Sequence, residues 1–286
     1  MITKNPMQLK AFIKNKAAEN QISAQLVMQN YMMERFLERI SLSKYQRNFI
    51  LKGGFLIAAI VGLDARATMD LDTTIKGFPL NHESIRGIFE EICAVVVEDD
   101  VTFIVSQTTD IREGDDYPAL RVHMNALYSP LNIPMKVDVT TGDKITPREI
   151  EYSFKLMFDD RSIAVLAYNL ETIFAEKLET VLSRNIANTR PRDFYDIHIL
   201  YTLRGADCDM TILRKALDET TRKRGSAAVI QQYHDIIGSI HENPQMLGFW
   251  DGYRNEFEYA KDIDFGDTCA TIKRIMDVLY NTKNEN

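Results

Sequence analysis

Phe49-Ile50-Leu51-Lys52-Gly53-Gly54-Phe55-Leu56-Ile57-Ala58-Ala59-Ile60-Val61 runs through Gly62-Leu63-Asp64-Ala65-Arg66-Ala67-Thr68 into Met69-Asp70-Leu71-Asp72-Thr73-Thr74-Ile75. The apolar run Phe49-Ile50-Leu51 suits a buried strand. Gly53-Gly54 breaks the chain, Phe55 to Val61 suits a short helix, and Met69-Asp70-Leu71-Asp72 reads as a second strand. Side chains alternate along a strand, so Asp70 and Asp72 point to one face. Two carboxylates side by side repel unless a cation lies between them. A hard cation such as Mg²⁺ takes oxygen ligands and keeps positions open for phosphates. The glycine pair lets backbone approach a ligand closely, and the helix N-terminus behind it attracts anions. These residues predict a phosphate cradle, Gly53 and Gly54, beside a metal site, Asp70 and Asp72. Nucleotidyl transfer needs both.

Working outward, the 286 residues suffice for one large domain or two, and 45% hydrophobic content fills an ordinary core. A net charge of −7 argues against a generally basic nucleic-acid coat. Cys93, Cys208 and Cys269 are odd in number and far apart, which predicts reduced thiols and a cytoplasmic location. Met1 to Pro6 lack the apolar core of a signal peptide, and no run of 18 apolar residues suggests a membrane span. The five histidines show no paired metal spacing, and neither Gly-x-Ser-x-Gly nor a Walker A sequence is present.

Residues 6–41 read as two helices, one with Ile13 and Ala17 on a stripe. The other carries Leu26, Met33, Phe36, Leu37 and Ile40, with Ser23 as a candidate cap. A helix is expected from Asn81 or His82 through Ile92. Strands are expected at Val101–Val105, Ala119–Leu127 and Ile133–Val139, with a turn at Gly114–Pro118. Lys136 and Asp138 share a face of the last strand. From residue 164 the pattern reads as helical throughout, with helices opening at Asn169 or Thr172 and at Thr189-Arg190-Pro191, and others at 209–224, 226–240, 244–260 and 266–282. Asp193 and Asp196 are three apart and share a helix face. Arg190 and Arg192 either bind phosphate or pair with those acids. Arg222-Lys223-Arg224 is a basic spot that suits an RNA backbone or a helix C-terminus equally.

The Gly-Gly turn, helix and Asp70-Leu71-Asp72 resemble the signature of the DNA polymerase β-like nucleotidyltransferase superfamily. Leu51-Lys52-Gly53-Gly54, Asp70-Leu71-Asp72, Ala175-Glu176-Lys177-Leu178 and Arg190-Pro191-Arg192-Asp193-Phe194-Tyr195-Asp196, in this order, resemble the AbiEii/AbiGii toxin family. Phe55 stands where the family usually has Ser or Thr. The resemblance implies an α/β fold: a polymerase β-like nucleotidyltransferase domain with a mixed sheet over residues 1–165, then a helical C-terminal domain over 166–286. It implies Asp138 as a third metal-binding carboxylate beside Asp70 and Asp72 in a two-metal Mg²⁺ site. Lys177 would direct its charge at the NTP triphosphate, with Asp193 and Asp196 as a second acidic pair of catalytic or positioning residues. First-turn helix stabilisation is the other reading of Asp193.

The implied activity is transfer of NMP from an NTP to an acceptor such as tRNA. The implied setting is the toxin of a type IV toxin–antitoxin or abortive phage infection system, with a separately encoded antitoxin. A small-molecule or protein-hydroxyl acceptor is the alternative within the enzyme reading. A non-catalytic nucleotide-binding protein, suggested by Phe55, is the alternative outside it.

Overall fold

Seven strands form one mixed sheet: β1 (Phe49–Lys52), β2 (Leu71–Ile75), β3 (Thr102–Asp110), β4 (Ala119–Tyr128), β5 (Leu131–Thr141), β6 (Ile150–Lys155) and β7 (Ser162–Ala167). Their order is β3-β4-β5-β2-β1-β7-β6. This is a computed structural model, and it describes residues 6–111 and 118–281. The turn expected at Gly114–Pro118 falls almost wholly outside the described residues. β1 runs antiparallel to β2 and parallel to β7, while β2 runs parallel to β5.

The chain divides into two compact units. The first comprises residues 1–143 and 149–167, and the second comprises 144–148 and 168–286. The short segment joins the second unit through Asn169, whose side-chain amide donates to the carbonyls of Thr146 (2.7 Å) and Arg148 (3.1 Å).

In the first unit, alternation places Leu71, Val137, Val139, Leu120, Val122 and Met124 on the buried face of the sheet. Helices α2 (Ala24–Leu42), α3 (Gly53–Val61) and α4 (His82–Cys93) cover that face. Phe36 of α2 stacks on Phe89 of α4 at 5.4 Å, and Phe89 meets Phe49 of β1 at 5.8 Å. Phe55 of α3 stacks on Phe154 of β6 at 5.4 Å. A side chain so used is a core residue, which explains an aromatic ring where a hydroxyl is usual. Ser23 caps α2 by accepting from the Leu26 N–H at 3.2 Å, and Asn81 caps α4 in the same way. α1 (Pro6–Glu19) packs Leu9, Ile13 and Ala17 inward.

α2 is more than an amphipathic packing helix. Arg35 is buried between Glu34 (2.7 Å) and Glu38 (2.6 Å), and Arg39 holds Asp99 with two bonds of 2.8 Å.

The second unit is helical: α5 (Leu170–Arg184), α6 (Pro191–Arg204), α7 (Met210–Arg224), α8 (Ala227–Ile230), α9 (Tyr233–Glu242), α10 (Pro244–Glu256) and α11 (Phe265–Asn281). Asn169 opens α5 by accepting from the Thr172 N–H at 2.8 Å. Two expectations are corrected. Residue 164 lies in strand β7, because Ile163-Ala164-Val165-Leu166-Ala167 is a short apolar run whose period alone does not separate strand from helix. The single helix expected at 226–240 is two, α8 and α9, separated at Gln231-Gln232.

Candidate active site

One face of the first unit's sheet carries a row of charge. Register places Lys52 opposite Asp72, Asp72 opposite Asp138, and Asp138 opposite Arg121, across β1, β2, β5 and β4. Directly opposed residues project to the same face, so two neighbouring carboxylates are bracketed by two cations. β2 begins at Leu71, so Asp70 lies just before the strand rather than on it. The Asp70 carboxylate makes no hydrogen bond among the described residues.

Asp138 is engaged. Arg121 donates to both of its oxygens, Nε to Oδ1 at 2.7 Å and Nη2 to Oδ2 at 2.8 Å. That bond, opposed by desolvation and aided by the charges of Asp138, Asp70 and Asp72, pushes the guanidinium above its ordinary pKa. Lys52 donates to Thr140 Oγ1 at 2.7 Å and to Asp143 Oδ2 at 2.5 Å. Lys52 falls within the Leu51-Lys52-Gly53-Gly54 segment, but no motif in the sequence marks Arg121. Only the register between β2, β4 and β5 reveals Arg121 as the partner of Asp138.

Gly53 follows the row directly. Its φ is +67°, and a Cβ there would overlap Asp72 Oδ2. The glycine therefore serves two needs: a left-handed backbone and room for the carboxylate. Gly54 is also closely packed, since a Cβ would meet Thr68 Oγ1 at 3.0 Å and Arg66 Nη2 at 3.1 Å. No side chain caps the N-terminus of α3, which leaves first-turn N–H groups available to an anion.

The donor chemistry of Asp70 and Asp72, hard oxygens beside an uncapped helix, fits a divalent cation that also holds phosphate. With Asp138 held by Arg121, no cluster of three ligating side chains suited to a metal occurs among the described residues.

In the second unit, Lys177 on α5 donates to Asp193 Oδ1 at 2.7 Å and Asp196 Oδ2 at 2.8 Å, both on α6. The two aspartates are 4% and 0% exposed, so they are buried charges that need this cation. Burial alone would lower the lysine pKa, but the two carboxylates outweigh it and hold it above 10.5. Asp193 Oδ2 is buried without a hydrogen-bond partner. Pro191 at the start of α6 sets Asp193 in its first turn. Arg190 and Arg192 are exposed. The acids pair with Lys177, and Arg192 forms no ion pair among the described residues. Of the basic spot at the end of α7, Arg222 pairs with Glu219, and Arg224 pairs with Glu179 and with Glu176.

The three cysteines are free thiols, and burial pushes each up to about 12. Among the described residues no helix is long and apolar enough to cross a membrane.

This sheet, with its glycine-led helix and charged row, is a nucleotidyltransferase fold. A crystal structure of an H. pylori protein described as a candidate nucleotidyltransferase superposes with a TM-score of 0.50 at 12% identity, covering 92% of this chain and 100% of that one. JHP933 from Helicobacter pylori gives 0.50 at 13% identity, covering 91% and 95%. Among curated proteins no significant match is found. The family model described as "Nucleotidyl transferase AbiEii toxin, Type IV TA system" matches residues 35–270. The chain belongs to the AbiEii nucleotidyltransferase toxin family.

Proposed function

We propose that the protein transfers NMP from an NTP to an RNA acceptor such as tRNA, in a Mg²⁺-dependent reaction, and that a separately encoded antitoxin restrains it. The observation that carries the reading is the juxtaposition of Asp72 and Asp138 in register with an uncapped, glycine-led helix N-terminus. In the reaction the acceptor hydroxyl oxygen bonds to the α-phosphorus, the bond to the β-phosphate oxygen breaks, pyrophosphate leaves and the hydroxyl proton is released.

Asp70 and Asp72 would hold the cation, and Asp138 would join them when Arg121 turns from it. Bound there, the cation would neutralise charge developing on the phosphates. Phosphate oxygens would approach the backbone N–H groups at the start of α3, where neither Gly53 nor Gly54 adds a side chain of its own. By family resemblance Lys177 offsets phosphate charge, Asp193 and Asp196 orient its amine, and Arg190 and Arg192 offer further phosphate contacts.

The test is incubation with Mg²⁺, each α-labelled NTP in turn and total tRNA, beside Asp70→Ala/Asp72→Ala. Label on RNA with the wild type alone is expected. Label on the protein itself would move the acceptor to a side chain. No transfer, with equal NTP binding by both proteins, would overturn the metal-site assignment.

A further inference from the structure

A cavity of about 680 Å³ in the first unit lies among α1, the start of α2 and strands β3 to β5, with Asp70 in its wall. Its lining combines three kinds of group. Lys10 and Lys14, from successive turns of α1, line it together with Lys136 of β5. None of the three forms an ion pair among the described residues. Met69 and Pro134 supply apolar surface, and Gln107 and Asn125 supply amides that can both donate and accept. In a chain of net charge −7, three such lysines around one cavity mark a site for an anion. Apolar surface beside amides suits a base that is stacked on one face and hydrogen-bonded at its edge.

We propose that this cavity binds the single-stranded segment of the RNA acceptor that adjoins the reacting hydroxyl. The inference rests on the RNA-acceptor reading above and adds a location to it. Asp70 connects the two: a nucleotide seated here reaches the carboxylate assigned to the metal. Lys10, Lys14 and Lys136 bind phosphates, and Gln107 and Asn125 bind base edges. The basic spot on α7 is a poorer candidate, because Arg222 and Arg224 already answer acidic neighbours.

The experiment is fluorescence anisotropy of a 5′-labelled single-stranded RNA oligonucleotide over a salt series, without NTP, alongside calorimetric NTP binding. The variant is Lys14→Glu/Lys136→Glu. Lys155→Glu/Lys215→Glu, which changes net charge equally at other exposed lysines, is the control. The cavity variant is expected to bind RNA at least about tenfold more weakly, with the salt slope smaller by about 0.7 for each phosphate that is no longer neutralised. NTP binding should be unchanged, and the control should stay within about twofold of wild type for RNA.

RNA binding by the cavity variant equal to wild type would overturn the assignment while leaving the RNA reading intact. NTP binding weakened in place of RNA binding would make the cavity the donor nucleotide's. Competition by polyglutamate as effective as by unlabelled RNA would show a site that reads charge alone, and the nucleotide assignment would fail. A wild type that binds no RNA would overturn both readings.

Discussion

Two pairs of aspartates in this protein solve the same electrostatic problem in opposite ways. Asp193 and Asp196 lie one turn apart on one helix, buried, with Lys177 between them. Asp72 and Asp138 come from two strands, remain partly exposed, and have their cations outside the pair, Arg121 on one flank and Lys52 on the other. A cation between two carboxylates closes the group. Cations on the flanks hold such a pair from outside, here Asp138 through both of its oxygens. The first arrangement stabilises a fold, and the second is suited to exchange a resident partner for a ligand.

The largest effect should come from removing a charge from the strand pair. Asp72→Asn should lower nucleotidyl transfer by about 10²–10³-fold, the scale of losing a central electrostatic stabiliser. Its thermal midpoint should stay close to that of wild type; a collapse of the fold would show that this pair, too, is structural. Lys177→Met should destabilise the second unit by about 3–5 kcal/mol in urea unfolding, because it leaves two buried carboxylates uncompensated. Adding Asp193→Asn and Asp196→Asn should restore most of that loss.

The same lysine sets a pH limit. Its folded pKa lies above 10.5, so its contribution is complete below pH 10.5 and is lost as pH rises through the folded value. Lys177→Met should lack that alkaline limb. Gly53→Ala should cost about 1–2 kcal/mol for the left-handed backbone alone. It should also reduce activity, because the new methyl takes the space of Asp72 Oδ2. Smallest is Arg121→Gln, worth less than about 1 kcal/mol in stability for a partly exposed pair. Mn²⁺ binding followed by electron paramagnetic resonance should nevertheless tighten about fivefold, the same energy seen from Asp138. Unchanged Mn²⁺ affinity would mean that Arg121 does not compete for that carboxylate.

What the sequence makes legible follows the range of the interactions. The glycine pair, α3, the capped helices α2, α4 and α5, and the aspartates on α6 are all local patterns, and they can be read directly. The partnership of Asp138 with Arg121 cannot, because it depends on the register of a hairpin and on a parallel pairing between β2 and β5. Strand β7 is obscure for another reason: it is a short apolar run next to a genuine helix. Strand β6 does carry a local signal, since Ile150, Tyr152 and Phe154 alternate with Glu151, Ser153 and Lys155, although the expectations above place no strand there. The buried charges of α2 are hidden by its amphipathic stripe. Nothing in the order of Glu34, Arg35, Glu38 and Arg39 indicates that Asp99 will come to meet them.

The position of β1 also bears on how the protein is made. Its inner edge pairs with β2 about twenty residues later, but its outer edge pairs Ile50 with Leu166. The charged row from Lys52 to Asp138 is therefore translated in full while one edge of β1 is still bare. At roughly 5–20 residues per second, the ribosome needs several seconds more to deliver β7. In that interval every residue of the charged row has been made, and β1 still lacks its neighbour β7. A chaperone or binding partner able to add a strand there would meet the enzyme before it is complete.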